Sequence, residues 1–369
     1  MAAALMRRRA FAGALASLAL LPASAEVRAL GRLPLGGSLT LRLPHDTSRL
    51  DPFDLFDPLA ALVGPSVFEP VYRLDRSGNP YASLADGMPF QRGRETLVRL
   101  RSGMQSSRGR ALLAHDLVHS VESARADGGL AVLEGVPRPR VDRTDGLVAT
   151  FGDVDPVTLA RALASPVVVL AARTSHPGSP DGTGAFRADV GAERLTLTRN
   201  TCAARGPAFL QRVVVDRASD LADPLRAFEA RRVDIGWLGA GLHQPRPEAV
   251  AFDLGSVGWV VLRTGPEAGA WDTPGVAQRL LDGIPSARLA HLALGAAASS
   301  EAELSWGGPP CQLLVNARSA HLVAFAHALA SILSSARHEI HVATVGPTDL
   351  ASRRTRRTYG LMVDVVRPV

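Results

Sequence analysis

The histidines are the first candidates for chemistry in this sequence, because two pairs of them have a spacing that a metal ion could use. His115 and His119 are four residues apart in a predicted helix, with Asp116 between them. Residues four apart share a helical face, but a zinc-peptidase helix needs a glutamate beside its first histidine, and an aspartate is too short for that role. His338 and His341 are three apart in or beside a predicted strand, which directs them to opposite faces. The sequence therefore predicts no metal site and a solvated helical face for the first pair.

Other motifs that would indicate an enzyme are incomplete. Ser286 lies in Gly-Ile-Pro-Ser-Ala, which lacks the second glycine of the turn that carries a nucleophilic serine in hydrolases. Gly239-Ala240-Gly241 lacks the third glycine of a dinucleotide-binding turn, and the loop 181–184 lacks the lysine of a phosphate-binding loop. The sequence therefore predicts a protein that is not an enzyme and has no cofactor, with a secreted hydrolase as the least favoured alternative.

Cys202 and Cys311 are the two cysteines of the chain. In an exported protein they could form one disulfide. They stand far apart in the sequence, and two free, partly buried thiols are the alternative. Neither has a second ligand at the spacing of a zinc site, so we expect no structural metal.

The formal charge of +6 comes largely from two arginine clusters near the ends of the chain. Arg7, Arg8 and Arg9 precede a predicted cleavage site, and the segment Arg353 to Arg357 carries four more arginines. We predict the second cluster to be a solvated loop between two strands, because a nucleic-acid-binding protein spreads its basic residues over a whole face. We therefore expect no nucleic-acid partner.

The first 25 residues have the pattern of an export signal. Arg7 to Arg9 form a basic segment, residues 10–21 are apolar, and Ala23-Ser24-Ala25 is a cleavage site of the A-x-A type. The apolar segment is shorter than the roughly 20 residues that span a bilayer. Arg8-Arg9-Ala10-Phe11 also fits a twin-arginine signal, so the twin-arginine and the general secretory routes both stay open. We expect cleavage near Ala25 and a periplasmic mature protein.

The elements that would position a binding site are clearest in the middle of the chain. Leu195 to Thr198 alternate apolar and polar residues, as a half-buried strand does. Val213-Val214-Val215 is typical of a strand buried on both faces. Asp223-Pro224 favours the start of a short helix. A strand at Val233-Asp234-Ile235 is expected next, and Trp237 follows its carboxyl end.

An ordered series in this region resembles the signature of family 5 extracellular solute-binding proteins, the oligopeptide, dipeptide and nickel receptors of ABC importers. The series is Gly182-Thr183-Gly184-Ala185-Phe186-Arg187, then Leu195-Thr196-Leu197-Thr198-Arg199-Asn200, then Val233-Asp234-Ile235. Earlier in the chain, Leu50-Asp51-Pro52 is similar to the tripeptide that follows the first strand in the family, and Val67 to Tyr72 resemble one of its helices. The resemblance is good from Leu39 to Ile235 and weak from Val257 to Val366.

The resemblance implies a bilobed α/β fold of the periplasmic-binding-protein type, with mixed sheets, flanking helices and a ligand cleft between the lobes. It implies a first lobe at residues 26–60 plus 166–238, with a subdomain at 61–165 attached to it. The second lobe would be residues 239–369. Family members are longer, so we expect this lobe to be shortened at its C-terminus relative to the family.

Four residues are the expected ligand contacts. By resemblance, Phe53, Asp54 and Phe56 belong to the loop beside the ligand cleft. Trp237 follows a predicted sheet strand, and open α/β sheets bind ligands in crevices at the carboxyl ends of their strands. Its indole offers a large apolar face and one N–H donor. Packing in the core of a lobe is the alternative for these aromatic residues.

The resemblance also implies a function. The lobes would close on a small, peptide-like solute in the periplasm and deliver it to the permease of an ABC importer. We expect a monomer without catalytic activity. The alternative is a degenerate receptor that acts as a sensor or scaffold and no longer serves a transporter.

Overall fold

A computed structural model describes residues 35–54, 57–127, 132–219, 223–236, 258–284, 306–317 and 320–366 of the chain. The predicted export signal, the segment 237–257 and Ser286 lie outside these residues. Among the helices of the described residues, none has the length and apolar character needed to cross a membrane.

Helices are interspersed with groups of strands along the chain, and each strand has two to six residues. Up to residue 229 they are β1 (Ser38–Leu43), α1 (Pro58–Val67), β2 (Glu69–Pro70), β3 (Tyr72–Leu74), β4 (Pro80–Ala82), β5 (Phe90–Arg92), β6 (Glu95–Arg99), α2 (Ala114–Asp127), β7 (Arg140–Val141), β8 (Val148–Phe151), α3 (Pro156–Ala162), β9 (Val169–Leu170), β10 (Phe186–Asp189), β11 (Arg194–Arg199), β12 (Arg212–Arg217) and α4 (Asp223–Glu229). After residue 257 they are β13 (Trp259–Thr264), a 3-10 helix (Pro266–Trp271), α5 (Val276–Asp282), β14 (Cys311–Asn316), α6 (Ala320–Leu333), β15 (Ile340–Val345), α7 (Pro347–Arg356) and β16 (Leu361–Val366).

The first sheet has the strand order β1–β12–β11–β10. Strand β1 is parallel to β12, whereas β11 is antiparallel to both of its neighbours. On the other side of β1, Ile235 forms a parallel bridge with Leu41, where the sequence predicts a strand. The carboxyl ends of β1, β12 and the segment ending at Ile235 therefore meet at one edge of the sheet.

An antiparallel sheet with the order β5–β6–β8–β7 follows the first strand in the chain. Helix α2 packs on it because Leu117, Val121 and Ala124, which share one helical face, are buried. This helix lies where the sequence predicts one, around His115 and His119.

The second large sheet has the order β13–β16–β14–β15 and contains parallel and antiparallel pairs. Helix α6 covers it with a face on which Ala326, Leu329 and Leu333 are at most 1% exposed. Among the described residues, the large cluster of buried apolar side chains before residue 220 is separate from the clusters after residue 258. The first cluster contains residues of both the predicted first lobe and the predicted subdomain. The division into 26–60 plus 166–238, 61–165 and 239–369 stays a prediction.

Two local predictions are wrong. Val67 to Tyr72 do not form a helix, because α1 ends at Val67 and Phe68 is extended, with φ −123° and ψ 145°. Pro70 lacks the N–H that a helix would need there, and the chain continues as the short strands β2 and β3. The triplet Val213 to Val215 is a strand, but only Val215 is fully buried.

The arginine segment 353–357 is also different from its prediction as a loop. Its residues form the last turn and the end of α7. Arg353 pairs with Asp349 at 3.1 Å, Arg354 with Asp364 at 3.2 Å and Arg357 with Asp272 at 2.7 Å. The cluster is therefore largely neutralised by one carboxylate of α7 itself and by two carboxylates outside it, Asp272 and Asp364.

Both cysteines are free thiols, the second of the two alternatives. Burial raises the pKa of Cys311 to about 11, so this thiol stays protonated at neutral pH. His115 and His119 are exposed on α2, as the sequence predicts. No group of three His, Cys, Asp or Glu residues in the described part of the chain is arranged to hold a metal ion.

Candidate functional site

The loop that follows β1 is the part of the predicted site that the structure describes best. It leaves the sheet at the edge where the parallel strands end. Two contacts hold it to the segment 177–191: Thr47 Oγ1 donates to the carbonyl of Gly191 at 2.8 Å, and Leu50 N donates to the carbonyl of Pro177 at 2.8 Å. Leu50 is fully buried. The loop is therefore anchored at a fixed place before it reaches Phe53 and Asp54.

Phe53 and Asp54 are both buried in this loop. Phe53 is 9% exposed and packs in the first core cluster, which is the alternative that the sequence left open. Asp54 is 6% exposed, and its Oδ2 lies 3.3 Å from Nη2 of Arg49. The same guanidinium lies 3.4 Å from Asp51 Oδ2 and so joins the two carboxylates. A role of Phe53 and Asp54 in ligand contact stays a prediction.

Phe56 and Trp237 lie outside the described residues, but the segment that leads to Trp237 is held firmly. Thr40 donates to Asp234 Oδ2 from both its backbone N and its Oγ1, each at 2.7 Å, and these bonds lower the pKa of Asp234. A Cβ on Gly236 would lie 2.9 Å from Cγ of Phe228, so only glycine allows this approach to α4. The chain therefore reaches Gly236, the last described residue before Trp237, at the carboxyl edge of the first sheet.

Asp57 begins helix α1 and closes the loop. Its Oδ1 accepts from Leu59 N at 2.9 Å and from Ala60 N at 3.2 Å, as an N-cap does. Burial, and then the nearby charge of Asp54, raise the pKa of Asp57 from 3.8 to about 6, although the cap bonds act in the opposite direction. The ionised form of this carboxylate is therefore costly in the folded protein.

The substitution Asp57→Asn should stabilise the protein at neutral pH. The folded pKa lies above the unfolded one, so the folded state binds more protons between pH 4 and 6, and stability falls as pH rises through that window. Asparagine keeps the cap acceptor without the charge. We expect the free energy of unfolding at pH 7.5 to rise by about 1–3 kcal/mol and the gain to vanish near pH 4, measured by urea denaturation.

Asp155→Asn is the matched control. Asp155 caps α3 through a bond from Thr158 N at 2.8 Å, but hydrogen bonds lower the pKa of this exposed carboxyl. Its substitution should therefore destabilise the protein at pH 7.5. A loss of stability in both variants at pH 7.5 would show that Asp57 acts only as a cap.

A pocket beside α1 was not expected from the sequence. It has a volume of about 420 Å³ and lies between α1, β2, β3 and the segment 164–169. Glu69 lines it and is 8% exposed, and burial raises the pKa of this carboxyl against the opposing charges of Arg205, Arg73 and Arg101. Glu69 was not expected at a site because Val67 to Tyr72 resemble a helix, and Arg73 follows that segment without any motif of its own. No periodicity marks strands of two and three residues.

The protein is similar in fold to solved structures of solute-binding proteins. The oligopeptide-binding protein AppA from Bacillus subtilis, in complex with a nonapeptide, is 14% identical with a TM-score of 0.60, covering 90% of this chain and 80% of AppA. The ABC transporter-associated periplasmic binding protein DppA from Helicobacter pylori, in complex with the peptide STSA, is 12% identical with a TM-score of 0.59 (91% and 79%). NikA from Brucella suis, in complex with Fe(III)-EDTA, is 15% identical with a TM-score of 0.58 (89% and 79%).

No protein-family model and no curated protein matches this chain. The likeness to the solved structures is therefore one of fold. The chain has the bilobed α/β fold of periplasmic binding proteins. The resemblance to family 5 solute-binding proteins that the sequence predicts is confirmed at this level.

Proposed function

We propose that this protein captures a small, peptide-like solute in the periplasm and presents it to the permease of an ABC importer. The observation that carries the proposal is the shared fold, which extends over about nine tenths of the chain and includes two binding proteins in complex with peptides. The protein acts as a monomer without catalysis. It reaches the periplasm through an export signal that is cleaved near Ala25.

The geometry of the first sheet supports this function. Its parallel strands end together, and the anchored loop after β1 and the segment leading to Trp237 leave from that edge. A crevice at such an edge is a common place for ligands in α/β proteins. The free backbone N–H and C=O groups of an exposed edge strand, and those of nearby loops, can bind the main chain of an extended peptide. Such bonds provide affinity with little side-chain selectivity. Phe53, Asp54, Phe56 and Trp237 are the residues that we place beside this solute.

The function is tested by native mass spectrometry of the protein purified from the periplasm of the cells that encode it. A binding protein should carry a small solute whose mass is lost on mild unfolding. Recovery of that solute, followed by its rebinding to the refolded protein, would support capture. If the protein purified from the periplasm carries no solute and binds no peptide from a mixed library, the result would favour the degenerate receptor.

Trp237→Phe tests the place of the site. If this indole lines the cleft, closure on the recovered solute moves it from water to an apolar surrounding, and its fluorescence changes. The substitution should remove most of that change and weaken binding by about 1–3 kcal/mol, the scale of burying one large side chain. Titration calorimetry and fluorescence measure the two effects.

Trp259→Phe is the control, because Trp259 is 51% exposed on strand β13 of the other sheet. This variant should bind as the unchanged protein does. Unaltered affinity and fluorescence response in Trp237→Phe would place that residue in a core.

A further inference from the structure

We propose that the pocket beside α1 is a second binding site, which takes a free α-amino acid with an apolar side chain. All of its lining residues lie between Pro52 and Val169. The second large sheet, which begins at residue 259, contributes none of them. The pocket is therefore formed within one lobe, and closure of two lobes on a solute would not create it.

The size of the pocket depends on small residues of α1. Ala60, Ala61 and Gly64 line one wall, and a Cβ on Gly64 would meet no atom within 4 Å. Phe68 and Val169 add apolar surface. A volume of about 420 Å³ falls within the range of small-molecule sites. The apolar wall would hold an aliphatic or aromatic side chain.

The charges of the pocket fit the two charged groups of an amino acid. Arg73 is half-buried and lines the pocket, and its charge acts on Glu69. Within the described part of the chain its guanidinium makes no hydrogen bond and has no carboxylate within ion-pair distance. Arginine is suited to a carboxylate because its planar guanidinium can donate two parallel bonds. This arginine would hold the carboxylate of the ligand.

Glu69 would hold the ammonium group. Its Oε1 lies 3.6 Å from Arg205 Nη1, whereas its Oε2 is buried and has no hydrogen-bond partner among the described residues. A buried acceptor without a donor is costly, and an ammonium group brings three donors. Rotation about the last side-chain bond of glutamate, which is a soft torsion, exchanges the two oxygens. Either oxygen can therefore be offered to the ligand.

The experiment uses L-phenylalanine as the probe and titration calorimetry as the measurement. The protein should bind L-phenylalanine, and it should bind L-phenylalaninamide and N-acetyl-L-phenylalanine at least about tenfold more weakly, a difference of about 1.4 kcal/mol. The amide lacks the carboxylate for Arg73, and the acetylated compound lacks the ammonium for Glu69. Equal binding of all three compounds would overturn the assignment of the charges.

Three variants locate the binding. Gly64→Leu should abolish binding of L-phenylalanine, because leucine fills the pocket and its Cβ would meet no atom within 4 Å. Arg73→Gln should weaken binding about tenfold. Arg76→Gln, an exposed arginine in the turn after β3 and outside the lining, should bind as the unchanged protein does.

The result of Gly64→Leu separates this site from the solute cleft. We expect this variant to keep its affinity for the solute recovered from the periplasm. Undiminished binding of L-phenylalanine by Gly64→Leu would place the amino acid elsewhere and overturn the proposal. Failure of the unchanged protein to bind L-phenylalanine at millimolar concentration would also overturn it. If Gly64→Leu does not fold, Arg73→Gln takes its place as the test of the site. Undiminished binding of L-phenylalanine by Arg73→Gln would then overturn the proposal.

Discussion

Replacing Gly182 by alanine should lower the free energy of unfolding by about 3 kcal/mol, the upper part of the range for overpacked sites. A Cβ at this position would lie 2.2 Å from the carbonyl oxygen of Val67 and 2.6 Å from Cδ1 of Phe68. That carbonyl is at the end of α1 and already accepts a bond from Gly184 N at 2.8 Å, so it cannot move without breaking this bond. Urea denaturation followed by far-UV circular dichroism measures the loss.

The surroundings of Gly182 explain why relaxation is difficult. Asp181 is 1% exposed and accepts bonds from the hydroxyl groups of Ser106 and Ser107, each at 2.9 Å, and from Arg108 N at 3.0 Å. Gly182 O itself accepts from Ser107 N at 2.7 Å. The backbone here is therefore held on both sides.

Gly178→Ala is the control for this prediction. Gly178 lies on the exposed surface, and the nearest atoms to an added Cβ are 3.6 Å away on His176, an ordinary contact. This variant should keep the stability of the unchanged protein to within about 0.5 kcal/mol. A Gly182→Ala protein as stable as Gly178→Ala would refute the steric argument.

Asp364→Asn should cost about 3 kcal/mol, the lower end of the range for a broken buried ion pair. Asp364 is 1% exposed on β16, and its Oδ2 lies 3.0 Å from Arg263 Nε and 3.2 Å from Arg354 Nη1. The amide keeps the shape but leaves two guanidinium groups without their counter-charge. These groups are 41% and 34% exposed, so water reduces the loss.

Asp349→Asn is the matched control on the neighbouring helix α7. Its pair with Arg353 at 3.1 Å joins an exposed acid to an exposed base one helical turn away. Such pairs contribute about 0–1 kcal/mol. Equal losses in the two variants, measured by urea denaturation, would show that the burial of Asp364 contributes nothing.

The elements that repeat a clear apolar pattern were predictable from the sequence. Helix α2 and strands β11 and β15 lie at their predicted places because the pattern spans most of each element. The segment 353–357 was predicted as a loop, because the sequence does not show the partners of its arginines. Asp272, the partner of Arg357, is distant in the sequence, and Asp364, the partner of Arg354, lies on strand β16. Pro347, which follows Gly346, favours the start of a helix, but the prediction was based on the arginines alone.

The candidate site was predictable in outline and not in its contacts. The Leu50-Asp51-Pro52 tripeptide marks the loop after β1, and the loop is there. The burial of Phe53 depends on a lobe core built from residues far along the chain, and the anchoring of the loop depends on Pro177 and Gly191. Sequence spacing carries no information on such contacts. The pocket beside α1 is likewise a space between three elements, which no single stretch of sequence describes.

The parallel pairing of β1 with β12 also has a consequence for the order in which the protein folds. Ser38 pairs with Arg212, so the first strand must wait for a partner that is synthesised much later. The antiparallel sheet of β5 to β8 has all its pairings between residues 90 and 151 and can form while β1 is still unpaired. Pairings between distant residues form slowly, because a long chain segment must be closed first. The first sheet is therefore expected to complete its pairing last, after the antiparallel sheet of β5 to β8 has formed.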